Sequence, residues 1–352
     1  MSETDRDAGV PVADRHPIRV ITMADVARSL GLSHQTVSRV LNDHPSVRPD
    51  TRARVLKAID NLGYHRNSAA RALVTRRSQT LGVVTLDTTQ YGPASTLVGI
   101  ERAAREAGYF ISVTIVKTIS KETVRDALDR LIRQNVDGVV VIAPLWEATE
   151  AVLSVLGGDL PAVVVEGATA PGIASVSVDQ AEGARLVTGH LLDRGATTVW
   201  HVAGPAHWIE AESRVTGWRE ELVRAGVRIP KLLRGTWSAR SGYEAGQKLA
   251  RRKAVDAVFV ANDQMALGVL RAFHEAGIDV PEDVLVAGFD DVPEAAFFTP
   301  PLTTVRQDFT TVGRKSIDLL VEQIAHGYSG ERRSVTPELV ARQSSTRAHS
   351  PG

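Results

Sequence analysis

The 352-residue sequence contains no cysteine. That excludes disulfide frameworks, cysteine-ligated zinc, iron–sulfur clusters and a thiol nucleophile, and it suits a reducing compartment. No apolar run approaches the roughly 18 residues that a membrane-spanning helix needs. Residues 1–18 are polar and acidic, without the apolar stretch of a secretory signal. A cytoplasmic protein with a disordered tail over residues 1–18 and no membrane partner is expected. No glycine-rich dinucleotide or phosphate loop, no His-Glu-x-x-His and no Gly-x-Ser-x-Gly occurs. An enzyme is therefore not expected, and no catalytic residue, cofactor or metal is assigned. Asp290 and Asp291 are not read as a glycosidase pair, because adjacent residues at a strand end point apart. Aromatic residues are only 5% of the chain, so each of its five tryptophans is a candidate for a packing or binding role.

The absence of net charge conceals an uneven distribution. From Arg19 to Thr80 there are 11 Lys and Arg against four Asp, a balance of +7. Residues 1–18 carry −2 and the remainder −5. A basic head on a mildly acidic body points to a polyanion partner for the head alone.

The head reads as three short helices. Thr22 followed by Asp25 is a helix start, with Met23, Val26, Ala27 and Leu30 on one face. Gly31 stops it and Ser33 caps a second helix, whose Val37, Val40 and Leu41 turn inward. His34, Gln35, Ser38 and Arg39 share the opposite face. A third helix starts at Pro49, is expected to bury Val55, Leu56, Ile59 and Leu62, and stops at Gly63. Two helices joined by a tight turn and braced by a third make a helix-turn-helix, whose second helix enters the major groove. Gln35 and Arg39 can pair bidentately with adenine and guanine. Thr36, Ser38, Asn42 and Arg52 suit phosphate contacts, which position without specifying.

The run Thr22-Met23-Ala24-Asp25-Val26-Ala27, then Gly31-Leu32-Ser33 and Gln35-Thr36-Val37-Ser38-Arg39-Val40-Leu41-Asn42, resembles the LacI/GalR family of repressors. Leu62-Gly63-Tyr64, Asn67 and Ala69-Ala70-Arg71-Ala72-Leu73 continue the likeness. The resemblance implies a DNA-binding set of Thr22, Ser33, His34, Gln35, Thr36, Ser38, Arg39, Asn42, Asn67, Ala70 and Leu73. It further implies that residues 67–79 hold a hinge helix and linker, ordered only on operator DNA, from which Leu73 wedges into the minor groove. So short a helix is unstable alone, and an apolar wedge kinks DNA.

The body alternates strands and helices. Apolar runs at Leu81–Leu86, Ile111–Val116, Gly138–Ile142 and Ala162–Val165 read as buried parallel strands. Helical patterns occupy Thr96–Ala107, Glu122–Gln134 and Ala148–Leu156. After Val176–Val178 the pattern restarts. Helix Ala181–Arg194 leads to strand Val199–Ala203, then helices Ser213–Ala225 and Gly242–Arg251. Strand Ala257–Val260, helix Met265–Ala276, strand Leu285–Gly288 and helix Thr311–His326 follow. The fold class is an all-α helix-turn-helix head plus an α/β body of two doubly wound parallel-sheet subdomains. The domains expected are 19–66 for DNA binding, 80–345 for effector binding and dimerisation, and a polar tail at 346–352.

The resemblance extends through the body, implying a fold like periplasmic sugar-binding proteins. It rests on Ala203-Gly204-Pro205, Arg214 with Gly217-Trp218, Trp237-Ser238-Ala239, Val260 to Gly268, and Pro300 to Thr304 with Gln307-Asp308-Phe309. It implies that Arg214, Asn262 and Asp290 bind sugar hydroxyls, that Trp237 and Phe309 wall the pocket, and that Gln307 is a polar contact at its edge; Glu166 and Trp208 complete the expected ligand-binding set. The residues themselves support this: sugars need paired donors and acceptors beside a flat apolar surface. Trp208, Trp218 and Trp237 are candidates for that surface, with Trp218 alternatively core, and Asn262 and Asp290 alternatively caps or turns. The family pattern is altered at Ala94, Thr118, Ile142, Glu166 and Val178, and Trp208 replaces a small residue. The implied function is a sugar-responsive repressor, released from a near-palindromic operator in double-stranded DNA by a small carbohydrate. A β-galactoside is the first candidate, with a different sugar or a non-sugar corepressor as the alternative. A secreted solute-binding protein would fit only the body, and an architectural DNA-binder only the head. Residues 341–352 are short and polar, without a leucine-heptad helix, so a homodimer is expected.

Overall fold

The computed structural model describes residues 21–64, 77–86, 90–118, 120–155, 160–167, 172–252, 254–327 and 330–347. The chain divides into two compact units, Met1–Val74 and Thr75–Gly352. Asn67, Ala70 and Leu73 lie outside the described residues.

The first unit holds α1 (Met23–Leu30), α2 (His34–Leu41) and α3 (Pro49–Leu62). Thr22 and Asp25 form a reciprocal capping box at the start of α1. Gly31 ends α1 in the left-handed region at φ 65°, a conformation that glycine adopts without steric cost. Ser33 caps α2, accepting from the Thr36 N–H at 3.2 Å. Val26, Ala27, Val37, Val40, Val55 and Tyr64 are the buried core. Two expected core residues are instead exposed, Leu56 by 47% and Leu62 by 36%. The inward stripe of α3 runs through Val55, Ala58 and Ile59; Leu56 lies about 100° around the helix from Val55, and Leu62 ends it, where Tyr64 folds back into the core instead.

The second unit contains two parallel sheets. The first has the order β11-β5-β4-β3-β1-β2. Its strands are β1 (Thr80–Leu86), β2 (Phe110–Val116), β3 (Gly138–Ile142), β4 (Ala162–Val165), β5 (Ala174–Val178) and β11 (Arg332–Val335). The helices α4 (Tyr91–Glu106), α5 (Lys121–Arg133) and α6 (Trp146–Val155) connect its first four strands. The second sheet has the order β7-β6-β8-β9, from β6 (Trp200–Ala203), β7 (Leu233–Arg234), β8 (Ala257–Val260) and β9 (Leu285–Ala287). With it go α7 (Gln180–Asp193), α8 (Ile209–Arg224), α9 (Ala239–Ala250) and α10 (Asp263–Glu275). Both orders reverse beside the first strand of the sheet, and in such sheets ligands sit beyond the C-terminal strand ends at that reversal.

The chain passes between the sheets more than once. After β5 it leaves the first sheet for α7, whose Ala184, Val187 and Leu191 join the core of the second. It returns through β10 (Thr304–Arg306) to α11 (Phe309–His326), whose Val312, Ile317, Leu319 and Leu320 pack on the first sheet. β11 joins that sheet beside β5, and β12 (Glu338–Val340) then pairs antiparallel with β10. The short β7, β10, β11 and β12 carry no apolar run and were not expected. The polar C-terminal stretch is also more than an exposed end. Ser344 and Ser345 are fully buried, and Ser344 Oγ donates to the Val286 carbonyl at 2.6 Å while accepting from the Thr303 N–H at 2.8 Å. Among the described residues, no helix is long and apolar enough to cross a membrane.

Candidate functional site

In the head, the side chains of His34, Gln35 and Arg39 are exposed, and none has a hydrogen-bond partner among the described residues. His34 and Gln35 project from the first turn of α2 and Arg39 from its last, on a helix held in place by Val37 and Val40 on its buried side. Ser38 is half-buried, and Asn42 ends the helix, its N–H donating to the Ser38 carbonyl at 3.0 Å. Thr22, Ser33 and Thr36 are engaged in capping bonds. Arg52 braces the turn between α2 and α3, bonding Asp43 and donating to the His44 carbonyl at 3.0 Å. That bracing role differs from the phosphate contact expected of it.

In the body, Arg214 of α8 is 2% exposed. Its Nε donates to Gln180 Oε1 at 2.8 Å, and its Nη1 donates to the Ala261 carbonyl. Gln180 Nε2 donates to Gln307 Oε1 at 2.7 Å, and Gln307 Nε2 donates to Asp290 Oδ1 at 2.6 Å. Asp290 Oδ1 in turn lies 3.6 Å from Arg214 Nη2. These four side chains close a buried polar ring, built where the connections between the sheets converge. Glu210, one turn before Arg214, stands 4.0 Å from the same Nη2. The guanidinium lies 3.9 Å over the Phe289 ring and 5.6 Å from that of Trp237. Trp208 meets Trp237 edge-on at 5.5 Å, and a Cβ on Gly204 would collide with the Trp237 ring. The Trp237 Nε1 is buried without a hydrogen-bond partner among the described residues.

Backbone conformation at this site is unusual. Glu166, Trp237 and Asp290 all have positive φ, 55°, 67° and 113°. Non-glycine residues enter that region at a cost of about 1–3 kcal/mol each, and such strain concentrates at functional sites. Asp290 and Asp291 do point apart. Asp290 faces the ring, whereas Asp291 accepts from Arg306 and Arg342 at 2.7 Å each.

The carboxyls outnumber the cations. Burial pushes Asp290 up to about 6, against the pull of Arg214 and the Gln307 hydrogen bond. Glu210 is pushed up to about 7, by burial first, with Arg214 opposing and Asp290 adding repulsion. Glu166, which accepts from the Val178 N–H at 3.3 Å, is raised well above the ordinary glutamate range by burial and by Glu210. Asp263 is raised by burial, then by Asp290, although Thr304 and Val292 donate to it.

Three adjoining cavities occupy this region. A central one of about 20 Å³ is lined by Tyr91, Trp208, Glu210, Arg214, Trp237, Asn262, Asp290 and Gln307. On one side lies a cavity of about 590 Å³, which shares Tyr91 and Gln307 and is bordered by Phe309 and Ala94. On the other side, a cavity of about 350 Å³ shares Glu210 and is bordered by Glu166, Val178 and Trp146. Six of the expected ligand residues therefore line the central space, and Phe309 and Glu166 line its neighbours. Phe309 stands apart because its ring packs edge-on to Tyr91 at 5.9 Å.

Trp218 is core, fully buried with its Nε1 donating to the Val199 carbonyl at 2.8 Å. Asn262 has both roles weighed for it: it lines the space, and its Oδ1 caps α10 through the Met265 N–H at 3.0 Å. Ile142 is buried in the first sheet's core and Thr118 is exposed, and neither altered position lines any of these three cavities. Gln180, Glu210 and Tyr91 were missed. Gln180 follows a strand end, the rule that singled out Asp290, and Glu210 is four residues before Arg214.

A helix-turn-helix with a free polar face, on a chain whose body encloses a charged cleft between two parallel sheets, defines a DNA-binding regulator with an effector domain. Residues 22–67 match the bacterial regulatory proteins of the lacI family, and residues 188–345 match a periplasmic binding protein-like domain. The lactose operon repressor of Escherichia coli K12 is 31% identical over 94% of this chain and 92% of its own length. The ribose operon repressor of the same strain is 32% identical over 92% of this chain and 99% of its own. The transcriptional repressor PurR of Haemophilus influenzae is 31% identical over 92% and 98%. Among solved structures, the lac repressor dimer bound to operator and the anti-inducer ONPF superposes with a TM-score of 0.83, at 31% identity over 94% of this chain and all of that one. A CelR–cellobiose complex gives 0.67, at 30% identity over 92% and 99%. The chain belongs to the LacI family of transcriptional regulators: it is a DNA-binding repressor with an effector-binding domain, and not an enzyme.

Proposed function

We propose that this repressor binds a near-palindromic operator as a homodimer in the cytoplasm and is released by a small carbohydrate. His34, Gln35 and Arg39 read base edges, while Thr22, Ser33, Thr36, Ser38 and Asn42 contact the backbone. Residues 67–79 form the hinge, with Asn67 and Ala70 at the DNA and Leu73 as the minor-groove wedge. Arg214, Asn262, Asp290, Gln307 and Glu166 bind the effector's polar groups, and Trp208, Trp237 and Phe309 its apolar face.

The observation that carries this reading is the closed ring Arg214–Gln180–Gln307–Asp290, beside the buried and unpartnered Trp237 Nε1. Such a wall offers paired donors and acceptors next to an indole, which is what vicinal hydroxyls and a sugar's C–H face need. The central cavity of about 20 Å³ is far below the roughly 300 Å³ of a small-molecule pocket. A sugar seated at the ring therefore extends into the adjoining cavities of about 590 and 350 Å³, which share Tyr91, Gln307 and Glu210 with it, and its occupancy is linked to the geometry of the connections between the sheets. A β-galactoside stays the first candidate, but the lactose, ribose and cellobiose proteins are similar at 31%, 32% and 30%, so identity alone does not select among sugars.

The test is calorimetric titration of candidate sugars into the free and the operator-bound protein. Linkage requires operator to weaken sugar binding by the factor by which sugar weakens operator binding. Equal sugar affinities in both titrations would remove the inducer reading; tighter binding to the operator complex would make the ligand a corepressor.

A further inference from the structure

Asp290 reaches the ring from a distorted backbone, and its neighbour continues the distortion: φ is 113° at Asp290 and 53° at Asp291. A non-glycine segment of this kind persists only where its surroundings over-determine it. Here each residue is tied. The Asp290 N–H donates to the Val305 carbonyl at 2.9 Å, the Asp291 N–H to Thr304 Oγ1 at 3.3 Å, and the Val292 N–H to Asp263 Oδ2 at 2.9 Å. The strongest hold is on the Asp291 side chain, which is 8% exposed. Arg306 Nε donates to its Oδ2 and Arg342 Nη2 to its Oδ1, both at 2.7 Å. One charge-assisted bond at each oxygen fixes both the place and the rotation of a carboxylate. Arg342 is anchored in turn, its Nη1 donating to the Leu302 carbonyl at 2.8 Å.

Asp291 lines none of the three cavities, and both its oxygens are taken, so an effector at the ring does not touch it. Arg306 lies on β10 and Arg342 two residues beyond β12, the antiparallel pair on the path of the chain between the sheets. The clamp therefore fastens the loop that carries Asp290 to that path. We propose that Asp291 is a positioning residue of the effector site: held by Arg306 and Arg342, it fixes the backbone that keeps the Asp290 carboxyl between Arg214 and Gln307. It rests on the reading of Asp290 as an effector ligand, and adds to it a side chain that touches only protein. Released at Asp291, the loop relaxes its positive φ and carries the Asp290 carboxyl out of the ring toward water.

The experiment compares the full-length wild type with Asp291→Asn, Arg306→Gln and the double variant, by two measurements. The first is calorimetric titration with lactose, ribose and cellobiose. For any of these that binds the wild type, Asp291→Asn is expected to weaken binding about tenfold, the scale of one lost hydrogen bond. Arg306→Gln is expected to weaken it less, and the double variant no more than Asp291→Asn alone. The second is carbon-13 NMR of aspartate-labelled protein without sugar, with the Asp290 signal assigned by its absence from Asp290→Asn. Asp290, faced by Arg214, Glu210 and Asp263, is raised to about 6 by burial. Its midpoint is expected to fall by about one pH unit or more in Asp291→Asn, and to fall in Arg306→Gln as well, as burial is relieved. Charge alone would move the two variants in opposite directions, because one loses an anion and the other a cation. Should Asp291→Asn not fold, Arg306→Gln decides alone, since its fall runs against the lost cation. Midpoints that stay put or move in opposite directions overturn the proposal, as do additive losses of affinity in the double variant. Midpoints that fall while sugar affinity holds keep the clamp and remove Asp290 from the effector's contacts. Failure of all three sugars to bind the wild type counts against the carbohydrate reading and leaves the midpoints to decide the clamp.

Discussion

The head and the body present their functional side chains in opposite ways. On α2, His34, Gln35 and Arg39 are solvated and unbonded, carried by a helix whose stability comes from its other face. In the body, Arg214, Gln180, Gln307 and Asp290 are all at least 93% buried and bonded to one another. The head keeps its chemistry off its own fold, so its reading face can change without unfolding it. The body's recognition groups are also part of its core, so ligand preference and stability are tied together there.

The largest test of that contrast is Arg214→Ala. Removing the cation leaves the buried Asp290 and the largely buried Glu210, its side chain 12% exposed, without their partner, a loss of about 3–5 kcal/mol. Urea unfolding followed by tryptophan fluorescence is the measurement. A loss below about 1 kcal/mol, within the range of an ordinary surface change, would break the comparison. Next comes Arg39→Ala, for which the unfolding midpoint should hardly move. Discrimination between matched and mismatched operators should fall by about 1–3 kcal/mol per half-site, the value of one bidentate base contact. Unchanged discrimination would take Arg39 off the reading face.

Legibility in the sequence divides along physical lines. β1, β3, β4 and β8 were readable because buried parallel strands are continuous apolar runs. β10 and β12 were not, being three residues each on an antiparallel pair that carries Arg306 and Glu338 outward. The expected helix at Thr96 begins at Tyr91, with Gly92 and Pro93 in its first turn, where proline is tolerated because its missing N–H has no helical partner. In the pocket, Arg214, Asn262 and Asp290 were legible from strand ends and family likeness together. Gln180 and Glu210 were not, because their roles exist only once Arg214 comes within reach of both sheets. The exposure of Leu56 was equally hidden: helical spacing gives a face, but what meets that face is a tertiary fact.

A pH measurement probes the body more finely. The Glu210 carboxyl is raised to about 7 in the folded protein from an ordinary 4.5. The folded state thus holds a proton that the unfolded state releases, and stability contributed by the neutral form is lost as pH rises from about 4.5 to about 7. His201, lowered to about 3 by burial, acts with the opposite sign in part of that range. The difference between wild type and Glu210→Gln isolates the carboxyl. The variant should gain relative stability by up to ~1.4 kcal/mol per pH unit across that window and level off above it. A pH-independent difference would mean that Glu210 is solvated in the folded state, and the body would then resemble the head.

The smallest expected effect tests the head's side of the contrast, at a residue where scaffold and recognition overlap. Ser33 is exposed, and its Oγ accepts from the Thr36 N–H at 3.2 Å as the cap of α2. It is also proposed to touch the DNA backbone. Ser33→Ala removes the cap and should cost the head about 1 kcal/mol. Ser33→Asp keeps a good cap and should leave the head's stability within a few tenths of a kcal/mol of wild type. It also brings a negative charge to the end of the helix that faces phosphate, so operator affinity should fall most at low salt, where screening is weakest. The two substitutions therefore separate folding from binding at one position. If Ser33→Asp bound operator as tightly as wild type at low salt, Ser33 would be a cap alone, and the division between scaffold and reading face in the head would be sharper than proposed.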